Sequence, residues 1–157
     1  MQSERQHKVS IVVLRIAVGL FLFTMGLGKL GWYTSAEPLL ERLEFYYDDA
    51  PAISQWYQDT VAKPLVGLWA LLIPTGELLG GLALTLGLLT RFTGIMMIVM
   101  VLNLNFANGN LLGLTLLSNP FNGLLLAVLF VVTYADAGRS FGLDKYIVRM
   151  KSDRIVW

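Results

Sequence analysis

The stretch Leu71–Arg91, LLIPTGELLGGLALTLGLLTR, decides the fold class. It is almost wholly apolar, yet it carries a carboxylate, Glu77, near its middle. A run of about 20 apolar residues can cross the hydrocarbon core of a bilayer. A chain in that medium must satisfy its backbone polar groups internally, which selects helix for an isolated segment. The stretch therefore reads as a membrane-spanning helix with an acid inside it. The whole chain agrees: of 157 residues 55% are hydrophobic and only 15% charged, and mean hydropathy is +0.62. Soluble domains carry roughly 25% charged residues.

Working outward, four spans are predicted, at residues 9–30, 64–89, 92–108 and 121–135. Pro64 suits a first helical turn, where its missing N–H costs nothing. The first segment has basic residues ahead of it, like a leader peptide, but Arg15 interrupts its apolar run and no small-residue cleavage pattern follows. It is expected to stay as an uncleaved first helix. The links after spans two and three are short, which favours antiparallel neighbours. The expected architecture is an all-α, single-domain, four-helix transmembrane bundle.

Charge orients it. Arg5, Lys8, Arg91, Arg139, Lys145, Arg149, Lys151 and Arg154 fall on one side, against Lys29, Arg42 and Lys63 on the other. The excess marks the cytoplasmic face, so both termini are expected there, in a bacterial or archaeal cytoplasmic (inner) membrane. The loop over residues 31–63 is then extracytoplasmic. It reads as two short interfacial helices, one containing Leu39, Leu40, Leu43, Tyr46 and Tyr47 after a Ser35 cap, the other with Ile53, Trp56, Tyr57 and Val61 on one face, and with Trp32, Tyr33, Trp56 and Tyr57 at the membrane interface. The tail over 136–157 is expected to end span four at Asp136 and then to lay an amphipathic helix on anionic lipid. Membrane lipids are thus the first partners, and further membrane subunits or a second copy the next. Nothing points to nucleic acid.

The composition narrows the chemistry. There is no cysteine, and the one histidine is His7, in the polar N-terminal segment. Thiol nucleophiles, iron–sulfur ligation and bis-imidazole haem are excluded, and no metal site is expected. Ionisable groups inside spans are candidates for function. Arg15 and Glu77 come to similar depths by rise per residue, so an Arg15–Glu77 ion pair is expected, as a lock on register or a site for a ligand head group. GELLG, Gly76–Gly80, permits close helix approach. Thr93, Met96, Met100 and Asn103 share one face of span three, and Asn122, Leu126, Leu129, Thr133 and Asp136 one face of span four. Candidate ligand-binding residues are Arg15, Lys29, Glu77 and Asn103. Candidate structural or interface residues are Arg91, Asp136, Arg139 and Asp144.

LRIAVGLFLFTMGLGKL, GELLGGLALTLGLLTR and DAGRSFGLDKYI, in that order, resemble the DoxX family of small four-helix membrane proteins, related to the DoxD-type subunit of thiosulfate:quinone oxidoreductase. Arg15, Lys29, Glu77, Arg91, Arg139 and Asp144 are the positions that match. The resemblance implies the fold and location well and the function poorly. It suggests a quinone-linked, redox-associated membrane subunit with quinone as a non-covalent cofactor. The alternative is a non-catalytic accessory subunit of a larger membrane complex.

Overall fold

Helix α1, Gln2–Leu27, enters with a polar first turn and turns apolar from Val9 onward. The computed structural model describes residues 2–111, 120–135 and 142–144. After a 3₁₀ turn at Leu30–Tyr33 come the short helices α2, Glu37–Phe45, and α3, Ala52–Tyr57. A π-helical turn, Gln58–Ala62, continues α3. The long helices α4, Val66–Leu86, and α5, Thr90–Ala107, follow, and then α6, Pro120–Tyr134. Among the described residues every regular element is helical. The apolar part of α1 from Gln6, all of α4 and all of α5 are long and apolar enough to cross a membrane; α6 is apolar but shorter.

One core joins four of the helices. Val18 and Leu22 of α1, Leu84 of α4, Met97 and Val101 of α5, and Leu129 and Val132 of α6 are buried together. The outward faces are apolar too: Val13, Leu79, Val99 and Phe130 are all more than half exposed. A helix apolar on all sides belongs in lipid or a large core.

The α1–α4 contact is the most extensive between elements, and glycine makes it possible. A Cβ on Gly19 would lie 2.7 Å from the Thr85 nitrogen, and one on Gly26 would lie 2.9 Å from the Leu78 nitrogen. Gly81 faces back at the Gly19 carbonyl and the Phe23 backbone. The other two glycines of the GELLGG run, Gly76 and Gly80, face Met100 and Met97 of α5 instead. The run therefore serves two neighbours.

The loop over residues 31–63 holds the two short helices read from the sequence. Leu39 and Leu43 are buried, and Ser35 Oγ accepts the Glu37 N–H from one position before the N-cap, Ala36. In the second segment the stripe read from the sequence is the outward one. Ile53 and Trp56 are exposed, while Ser54 and Gln58 are fully buried with Ala62. Gln58 Nε2 donates to the Ala107 carbonyl at the end of α5. A polar stripe faces the protein and the aromatic stripe faces out, which suits a membrane interface. Tyr47 donates to Asp59, and Lys63 also bonds Asp59 while lying over the Tyr47 ring. The Tyr47 hydroxyl, and with it Lys63, holds the Asp59 carboxyl below its ordinary range. This cluster is exposed and ties the two loop helices together.

Candidate functional site

The candidate residues occupy three separate places. The first is the α1–α4 interface near the outer loop. Glu77, 5% exposed, receives both carboxylate contacts from Lys29 Nζ, at 2.5 and 2.6 Å. Lys29 also lies 5.7 Å from the Trp32 ring centroid, within cation–π range. Arg42, on α2, contributes charge to the same acid. Beside the pair, the Tyr33 hydroxyl shares a hydrogen bond with Thr75 Oγ1 at 2.8 Å.

The expected Arg15–Glu77 pair is therefore replaced by Lys29–Glu77. The reason is register. Depth counting set Val9 of the first span level with the inner end of the second. The glycine contacts instead pair residue 19 with 81 and 85, and residue 26 with 78. That places Arg15 opposite the last turn of α4. The offset is roughly ten residues, or about 15 Å at 1.5 Å per residue.

Arg15 belongs to the second place, the turn between α4 and α5. It is 1% exposed, and its guanidinium packs on Gly87, the left-handed C-cap of α4. Any Cβ on Gly87 would lie 2.8 Å from Arg15 Cζ and 2.7 Å from Gly142 Cα. Asp144 lies near enough to act on Arg15 electrostatically. Asp144 in turn accepts the Leu89 N–H at 2.5 Å and the Thr90 N–H at 2.9 Å. Its own N–H donates to the Gly87 carbonyl. These bonds hold Leu89 at φ +48°, a left-handed conformation unfavourable for leucine. Asp144 thus supplies the cap that α5 lacks within its own sequence. Asp144→Ala should destabilise the fold by about 2 kcal/mol, the upper range for a lost N-cap. A denaturant titration in detergent measures it, and an unchanged midpoint would refute the capping role. Arg91 opens α5 beside this turn. Asp136 and Arg139 lie outside the described residues.

The third place is a groove between α4 and α5, about 510 Å³ in volume. Thr93, Met96, Met100 and Asn103, the face read from span three, all line it. Its opposite wall includes Trp69, Gly76, Leu79 and Ala83. Leu72, Leu79, Phe92, Met96 and Val99 are lining residues with exposed outer surfaces, so the groove opens sideways. Asn103 Nδ2 donates to the Tyr57 hydroxyl at 2.7 Å. Tyr57 was missed as a partner in the sequence because it sits on a surface helix far along the chain. Arg15, Lys29 and Glu77 are not among the groove's lining residues. Among the described residues no cluster of three His, Cys, Asp or Glu side chains is placed to hold a metal.

The family model described as DoxX matches residues 10–110, well over half of the chain. No curated protein and no solved structure matches the sequence.

Proposed function

The chain belongs to the DoxX family, and from that premise we propose a multi-pass subunit of the cytoplasmic membrane that binds quinone and serves a redox system. In this reading α6 is the fourth span, both termini are cytoplasmic, and α2 and α3 lie on the outer surface. The Lys and Arg distribution supports that orientation.

The α4–α5 groove carries the proposal. Its volume of about 510 Å³ falls within the range of small-molecule sites, roughly 300–1,000 Å³. Its sideways opening gives access from the lipid phase. Asn103 has two amide hydrogens, and one goes to Tyr57. The other amide hydrogen and the Tyr57 hydroxyl hydrogen remain to donate to a quinone carbonyl. The Lys29–Glu77 pair then fixes α1 on α4 rather than touching the ligand.

Without cysteine, and with His7 as the sole histidine, the electrons would travel on the quinone or on a partner subunit. A non-catalytic accessory subunit of a larger complex is the alternative. Protein purified in mild detergent should carry quinone in its lipid extract, and Asn103→Leu should reduce that amount about fivefold, one hydrogen bond's worth. Wild-type protein free of quinone, with another subunit attached, would favour the accessory role.

A further inference from the structure

One residue of the groove wall stands in a backbone conformation that suits it poorly. Leu89 lines the groove where α4 gives way to α5, beside Ala83 and Phe92, and it is 40% exposed. Its φ is +48°, and among the described residues it is the one non-glycine with a positive φ. Glycine enters that region without steric cost, and leucine does not. Gly87, two positions earlier, shows the usual solution at φ +69°. Strain retained at a site wall points to a use for the side chain that bears it. Here the leucine gives the groove a branched apolar surface that glycine would remove.

The conformation is imposed from the far end of the chain. Asp144 accepts the Leu89 and Thr90 N–H groups. Leu143 and Asp144 donate their own N–H groups to the Leu86 and Gly87 carbonyls. These bonds join a C-terminal segment to the end of α4 and the start of α5, and they satisfy groups that helix ends leave unpaired. Asp144 itself is not among the groove's lining residues. The groove's other end is marked by Asn103 and Leu104. From Leu89 to Asn103 it runs roughly 20 Å at 1.5 Å per residue along α5. A ligand held by its head at Asn103 reaches Leu89 only if its tail is long.

We propose that Leu89 is the tail-end wall of the groove and selects long-tailed ligands, and that Asp144 is the positioning residue that holds it there. The C-terminal segment thereby tunes a site it does not line. A ligand whose tail ends short of the turn gains nothing from either residue. Coupling of this kind is reciprocal, so a tail packed on Leu89 also favours the capped turn. The inference rests on reading the groove as a ligand site, and it adds tail-length selectivity and the residue that sets it.

The test uses full-length protein in nanodiscs with three probes: a hexadecyl-tailed benzoquinone, a butyl-tailed benzoquinone and hexadecane. The hexadecyl-to-butyl affinity ratio should fall about fourfold, one buried methylene's worth, in Leu89→Gly, which keeps the turn because glycine accepts its φ. Asp144→Asn retains one of the two acceptor oxygens and should lower the same ratio. The double variant should lose no more than Leu89→Gly alone, since Asp144 acts through that side chain. An unchanged ratio in either single variant, or losses that add in the double, would overturn the proposal. Should either variant not fold, amide exchange of the wild type decides: the hexadecyl-tailed quinone slows exchange at Leu89 and Thr90 and the butyl-tailed one does not, and equal or no slowing overturns the proposal. Hexadecane that slows those amides while neither quinone binds would end the quinone reading and leave this one standing. Quinone held through Asn103 at an unchanged ratio would do the reverse. A wild type in which no probe binds or slows exchange overturns both.

Discussion

Lys29→Met should destabilise the protein by about 3–5 kcal/mol, the cost of leaving a buried charge without its partner. Glu77 sits in a helix whose surroundings are almost entirely carbon, and Lys29 is the side chain that bonds both of its oxygens. The side chains of the pair are 12% and 6% exposed, so water cannot replace the lost ammonium. Arg42 also acts on Glu77, but no hydrogen bond joins them among those described. The double replacement Lys29→Met with Glu77→Leu should return most of the lost stability, because a buried pair replaced by apolar side chains of similar size is often neutral. Unfolding by denaturant in detergent micelles measures both. A single variant as stable as wild type would mean that Glu77 is not held by Lys29. A double variant as unstable as the single would mean that the pair contributes net stability. Stability restored together with unchanged quinone retention would confine the pair to fixing α1 on α4.

The sequence disclosed which residues matter more reliably than which residues meet. Hydropathy located the apolar helices, because spacing along one chain is enough to see a membrane-length run. The face of α5 with Thr93, Met96, Met100 and Asn103 was legible for the same reason: helical periodicity is local. Register between two helices is not local. Counting from span ends paired Arg15 with Glu77, because nothing in a single sequence states how far α1 projects beyond α4. The glycines do state it, but only once Gly19 is known to lie on Gly81 and Gly26 on Leu78. With that register Glu77 falls to Lys29, and Arg15 falls on Gly87, at the turn that Asp144 caps from nearly the other end of the chain. The stripe of Ile53 and Trp56 in the loop was legible as well, since its periodicity is also local. What the sequence did not show is that the opposite face, Ser54 and Gln58, is buried, with Gln58 bonded to the end of α5.

Gly81→Ala should be among the most damaging single-methyl additions in the chain, while Gly80→Ala, one residue earlier, should be nearly silent. Both glycines are buried in α4, and composition cannot tell them apart. Their neighbours can. A methyl group on Gly81 would press on the Phe23 backbone nitrogen, lie 2.6 Å from the Gly19 carbonyl oxygen and lie 2.9 Å from Phe23 Cα. All three are main-chain atoms of α1, so relief requires the whole helix to move outward. That motion would also pull Lys29 from Glu77, and small-residue contacts are what let membrane helices approach closely. A loss of about 3 kcal/mol, the upper range for overpacking, is expected. A methyl group on Gly80 would meet only the Met97 side chain, with Cε and Sδ both at 2.9 Å. A thioether has free torsions and can swing aside. The helix also gains by about 1 kcal/mol when alanine replaces glycine, which offsets the repacking. Paired unfolding titrations of the two variants test the argument directly. Equal losses would show that the α1–α4 backbone contact is not the limiting one, and a tolerant Gly81→Ala would remove the register on which the Lys29–Glu77 pair and the seat of Arg15 on Gly87 both depend.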